Sequence, residues 1–138
     1  MEPIPDGRST PKPNQYVPSM PFWDGVRDGQ LVLQVCLSTG RLQHYPRPVD
    51  LHTGRRDLGW REVSGRGVIY AVTAIRTPVP GFAAHVPLVV AIVELDEGVR
   101  ILGRILNCAP GEVAIGDRVG IAWDHFNDST RYPAFELL

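Results

Sequence analysis

Two short stretches of this chain have the spacing of a metal-binding knuckle: Cys36-Leu-Ser-Thr39-Gly40 and Asp50-Leu-His52-Thr53-Gly54. Paired knuckles hold one tetrahedral Zn²⁺ when each turn supplies two thiolates. Here Cys36 is the only thiol at such a position, and Thr39, Asp50 and Thr53 occupy the other three. Threonine is a poor zinc ligand. A substitute set of Cys36, His44, Asp50 and His52 can be written, but His44 would lie within a strand and the knuckle spacing would be abandoned. The expectation is a hairpin that keeps its turns, has lost its zinc and needs no cofactor.

Nucleophilic and acid–base chemistry has candidates but no constellation. Cys36, Cys108 and Ser64 are the nucleophiles to consider, and His44, His52, His85 and His125 the bases. None stands at a nucleophile elbow or at a helix start that follows a strand. Asp24, Asp28, Asp96, Glu97 and Asp117 lie next to glycines in turn-like settings and read as solvated carboxylates. No phosphate-binding loop, dinucleotide fingerprint or HExxH helix occurs. The chain does not read as an enzyme by itself.

The elements that must position these residues are mostly strands. Residues 1–20 carry Pro3, Pro5, Pro11, Pro13 and Pro18, which disfavour a regular helix and predict an extended arm. Pro21 suits the first turn of a short helix over 22–28, with Phe22, Trp23 and Val26 on one face and Gly29 at its end. Residues 31–36 and 42–46 predict a hairpin around the first knuckle. Further strands are expected at 60–63, 68–76, 88–95, 99–105, 118–123 and 132–137. The 88–95 run is almost wholly apolar and predicts a buried central strand. Loop 77–86 carries an exposed-looking Phe82, and 125–130 reads as a turn-rich loop. Five main strands with glycine-rich bends fit a small closed barrel of the OB type. The fold class is therefore mainly β: an arm over 1–20, a helix and degenerate ribbon over 21–57, and a five-stranded OB-fold barrel over 58–138.

A length of 138 residues suits one domain with a small appendage. The net charge of −1, from 14 basic and 15 acidic residues, gives little electrostatic case for nucleic acid. Trp60, Tyr70, Phe82 and Trp123 with Arg61, Arg66, Arg76 and Arg104 could furnish a stacking groove, but packing explains them as well. Two cysteines make no disulfide framework, and no apolar leader or spanning segment is visible, so the chain reads as cytoplasmic.

Several stretches together carry a recognisable pattern: Pro21-Phe22-Trp23, the Cys36 remnant, Tyr45-Pro46-Arg47-Pro48, Trp60 through Tyr70, and Val93 through Gly98. From about residue 20 onward the chain resembles the DUF35 family, which joins an N-terminal helix and a rubredoxin-like zinc ribbon to an OB-fold. The family pattern places cysteine at positions 36, 39, 50 and 53, so three of its four ligands are replaced here. The resemblance implies a non-catalytic accessory subunit of a thiolase-like enzyme (a thiolase, acyltransferase or retro-aldolase) acting on acyl-CoA substrates, with steroid side-chain cleavage among them. It implies an α2β2 assembly with acyl-CoA at or near the interface. Phe22, Trp23, Val26, Tyr45 and Phe82 are the expected partner contacts, and Arg66 and Arg76 the expected CoA contacts. A MaoC-like enoyl-CoA hydratase is the alternative partner, and a stand-alone nucleic-acid- or ligand-binding OB protein the alternative role.

Overall fold

The computed structural model describes residues 17–77, 80–127 and 130–138. Most of the expected arm lies outside them; its last residues form a 3-10 turn, Val17–Ser19, that runs into helix α1 (Met20–Arg27). Pro21 stands in the first turn of α1, where its missing N–H removes no helical bond. Gly29 follows with φ +73° and turns the chain away. Arg131, on the last barrel strand, reaches back to the carbonyls of Val26 and Arg27 at 3.4 and 3.5 Å, and its cation suits the negative end of the helix.

Strand β1 (Val32–Cys36) is the centre of a three-stranded antiparallel sheet, flanked by β2 (Leu42–Gln43) and β3 (Leu58–Glu62). β2 is shorter than expected, because the chain leaves the ladder at His44 and heads for α1. β3 pairs with β1 along its whole length, Val32 opposite Glu62 and Cys36 opposite Leu58. The strand expected at 60–63 thus belongs to the small sheet.

The barrel comprises β4 (Arg66–Ile75), β5 (Leu88–Leu95), β6 (Arg100–Arg104), β7 (Arg118–Asn127) and β8 (Thr130–Leu137). Their order is β6-β5-β4-β7-β8, and a parallel bridge from Ile105 to Phe135 brings the two outer strands together, so the barrel is nearly closed. The expected five-stranded OB architecture is present. At Gly67 the backbones touch: a Cβ there would meet the Glu94 carbonyl oxygen at 2.3 Å, so only glycine fits. β7 runs on to Asn127, further than the expected strand, which makes part of the predicted 125–130 loop a long hairpin.

One apolar core joins the units. Phe22 and Val26 from α1 and Leu31 and Leu33 from the ribbon pack into the same cluster as Val93, Val119 and Phe135 of the barrel. β5 departs from expectation: it is central, but only Val89, Ala91, Val93 and Leu95 are buried, while Ile92 on its other face is exposed. Among the described residues no second layer covers that face.

Candidate functional site

The two knuckles are built alike, fourteen residues apart in sequence. In the first, the Gly40 amide donates to the Cys36 carbonyl at 2.7 Å and the Cys36 amide to that of Arg41 at 2.9 Å. In the second, Gly54 donates to Asp50 at 2.9 Å and Asp50 to Arg55 at 2.8 Å. Both glycines take a left-handed φ, +72° and +71°. Thr39 and Thr53 turn their hydroxyls inward and accept from the amides of Arg41 and Arg55.

Hydrogen bonds do in these turns what metal–sulfur bonds do in a loaded site. Asp50 Oδ2 accepts from the His52 amide, the Thr53 amide at 2.8 Å and the Thr53 hydroxyl at 2.7 Å. The Thr53 hydroxyl, with these amides, holds the Asp50 carboxyl below its usual range. Behind it, Gln43 donates to Gln34 at 2.5 Å and to the Val49 carbonyl, and accepts from the Leu51 amide. Gln34 in turn clamps Arg47 through its amide and its carbonyl. The Cys36 thiol lies against Ser38 at 3.4 Å and Asp57 at 3.8 Å, and hydrogen bonds from Ser38 and Thr39 pull its pKa down.

The donor set of Cys36, Thr39, Asp50 and Thr53 does not fit tetrahedral zinc. Two of the four are neutral hydroxyls, and although Asp50 Oδ1 is buried without a hydrogen-bond partner, one thiol and one carboxylate oxygen are too few anionic donors for a closed tetrahedral site. The substitute set is not assembled either. His44 lies against Phe22, and among the described residues no three His, Cys, Asp or Glu side chains converge on one point.

The remaining chemical candidates have structural partners. Ser64 donates its amide and hydroxyl to the two oxygens of Glu97, tying the ribbon–barrel junction to the β5–β6 turn. Burial pushes the Cys108 thiol up, away from reactivity. The carboxylates expected to be merely solvated are mostly bonded: Asp24 to Arg27, Asp96 to both Arg118 nitrogens, and Asp117 to the Ala114 amide. His85 packs edge-on to Phe82, His52 is exposed on the knuckle, and the His125 side chain is outside what is described.

A pocket of about 320 Å³ opens where α1, the ribbon and the barrel meet. Phe22 and Trp23 form one wall, His44 and Tyr45 another, and Leu102 with Tyr132 the third. The wall is largely apolar. Burial lowers the His44 pKa to about 4, so the imidazole is neutral at pH 7, and its Nδ1 is buried without a hydrogen-bond partner. The Tyr132 phenol is pushed up by burial and by nearby Asp124.

The structure therefore sorts the expected contact residues. Trp23 and Tyr45 come together at the pocket mouth, whereas Phe22 and Val26 are 7% and 2% exposed and spent on the chain's own core. Phe82 is half-buried in its loop and outside the pocket wall. Arg66 and Arg76 are both exposed but flank a ten-residue strand, roughly 30 Å apart at about 3.3 Å per residue, so one phosphate group cannot engage both. Sequence reasoning missed Leu102 and Tyr132. Their signal was present in the alternation of β6 and β8, but it could not say what the outward positions face.

Comparison with known proteins places these features in context. A family model described as the ChsH2 C-terminal OB-fold domain matches residues 60–124, and one described as the ChsH2 rubredoxin-like zinc ribbon domain matches 23–49. The chain is 38% identical over 112 residues to the 3-oxo-4,17-pregnadiene-20-carboxyl-CoA hydratase alpha subunit of Mycobacterium tuberculosis (strain ATCC 25618 / H37Rv). That match covers 80% of this chain and 35% of the relative, so the chain spans about a third of the relative's length. It is 31% identical over 100 residues to a DUF35 domain-containing scaffold protein of Methanocaldococcus jannaschii, covering 70% of each. A solved structure titled Ltp2-ChsH2(DUF35) aldolase contains a similar chain, with 29% identity and a TM-score of 0.83 over 91% of this chain and 98% of that one.

Proposed function

The chain belongs to the DUF35 family, and on that premise we propose that it is a non-catalytic accessory subunit of an enzyme acting on acyl-CoA thioesters. The observation that carries this reading is the match over nearly the whole of a chain found in an aldolase assembly. The partner we favour is a thiolase-like aldolase, joined as α2β2 in the cytoplasm, with the reactive groups on the partner. This fits the state of the chain's own candidates, since Ser64 is tied to Glu97 and Cys108 is held as a thiol by burial. A hydratase partner is the second reading, favoured by the hydratase alpha subunits among the relatives.

Within this reading the ribbon is metal-free and works by shape. Trp23 and Tyr45 are its partner-facing aromatics. Arg76, beside the 77–86 loop that carries Phe82, is the better placed contact for acyl-CoA, because Arg66 shares its end of the barrel with Asp96 and Arg118. The test is co-expression with thiolase-like and hydratase proteins encoded in the same genome. Co-elution and loss of the partner's activity without this chain are expected; a partner fully active alone would refute the role. Metal analysis of the purified chain is expected to find no stoichiometric zinc.

A further inference from the structure

The barrel carries an apolar patch that the described residues leave exposed. We infer that this patch, with the pocket beside it, seats an uncharged surface of the partner subunit, which inserts an aliphatic or aromatic side chain between Trp23, Tyr45 and Leu102. The inference rests on the accessory-subunit reading and deepens it by naming the face and the chemistry of what covers it.

The first ground is composition. The β5 run Leu88-Val-Val-Ala-Ile92-Val-Glu-Leu95 has the pattern of a strand buried on both faces, yet only one face is buried here. Register extends the uncovered face across three strands. Ile92 stands directly opposite Leu102, and Tyr70 projects at the bulge where β4 passes Ile92. Tyr70, Ile92 and Leu102 are 47%, 36% and 56% exposed. Leu102 is also a pocket wall, so the patch runs without interruption to Trp23 and Tyr45. Contiguous apolar surface of this kind marks an interaction site.

Charge decides the kind of partner. Arg100 and Glu94 flank the patch opposite one another and pair at 3.5 Å, and the Arg100 guanidinium lies 3.6 Å from the centre of the Tyr70 ring. A charged group brought onto this face would lose its water and find no unbalanced counter-charge. An apolar surface loses nothing. Size decides between a small molecule and a protein. The pocket lies at the low end for ligand sites, and a molecule filling it would leave Ile92 and Tyr70 in water. A protein surface with one projecting anchor covers both.

The full chain and its Leu102→Glu and Ile92→Glu variants are co-expressed with thiolase-like and hydratase subunits encoded in the same genome, with Ile115→Glu as an exposed control outside the patch. Both patch positions face water in the chain alone, so the variants should fold, which their melting curves check; Ile92→Thr is a milder second variant. The expected result is a weakening of assembly by roughly 30-fold or more for Leu102→Glu and no change for Ile115→Glu. Wild-type assembly with undiminished Leu102→Glu and Ile92→Glu complexes would overturn the inference and leave the accessory role standing. No wild-type assembly would overturn both. A homodimer of the chain alone, seen by sedimentation and broken by Leu102→Glu, would assign the face to a second copy and overturn the inference.

Discussion

The ribbon and the barrel hold their strands with opposite materials. The barrel is closed by apolar contact, Phe135 being fully buried among Val93, Ile101 and Val119. The ribbon buries Gln34, Gln43 and Asp50; the two glutamines and Asp50 Oδ2 bond one another and the knuckle backbone, while Asp50 Oδ1 is buried without a partner. Apolar packing is non-directional and shared, so damage to it spreads through the whole core. A polar network is directional: each bond adds little while made, but a group left unpaired carries its desolvation cost at that point. The ribbon should therefore fail locally and the barrel globally.

The largest expected break is in the barrel. Phe135→Ala should cost about 3–5 kcal/mol and lower the urea midpoint for ribbon and barrel probes together, because the cavity lies in the shared core. Separate transitions would show that the two regions do not share their stability.

The seam comes next, through His44. Its folded pKa of about 4 lies below the ordinary value of 6.5, so the unfolded chain binds a proton that the folded chain refuses between those values. Stability from neutral His44 is complete above pH 6.5, falls as the pH drops toward 4, and is lost below it. The loss should be roughly 3 kcal/mol, at about 1.4 kcal/mol per pH unit. Denaturation from pH 7 to 4 measures it, and His44→Phe should flatten that limb.

Within the ribbon the effects are smaller and confined. Gln43→Leu strips partners from Gln34, the Val49 carbonyl and the Leu51 amide, and should cost about 1–3 kcal/mol. Amide exchange should speed up over 47–53 while the β4–β5 ladder keeps its protection. An equal loss in both would erase the contrast.

The least effect concerns Asp50 and metal. Because the Asp50 carboxyl is held below its ordinary range, its contribution is present above that range and disappears as the pH falls through the lowered value. Exchange at His52 and Thr53 should show this acid limb, and Asp50→Ala should remove it. A chelator should leave the melting temperature unchanged.

Much of this was legible in the sequence. The knuckle glycines Gly40 and Gly54, Pro21 at the helix start, and the alternation within β6 and β8 are local signals, and each gave its element. The helix face of Phe22, Trp23 and Val26 was also legible, but not its destination. Phe22 and Val26 went into the chain's own core, because β8 and β1 lie beneath α1, a packing of residues far apart in sequence. The carboxylates beside glycines looked solvated because their partners, such as Arg118 for Asp96 and Ser64 for Glu97, come from segments distant in sequence.

By itself, the sequence determined where the strands turn, that three knuckle positions lack a thiol, and that β5 is more apolar than strands with one wet face usually are. These follow from side-chain chemistry and backbone geometry within a few residues. Only the tertiary structure decided that His44 is neutral, that Trp23, Tyr45 and Leu102 frame one pocket, and that Ile92 on the outer face of β5 is exposed. Burial and covering depend on which distant segments pack together, and that is fixed when the barrel closes and the ribbon docks against it.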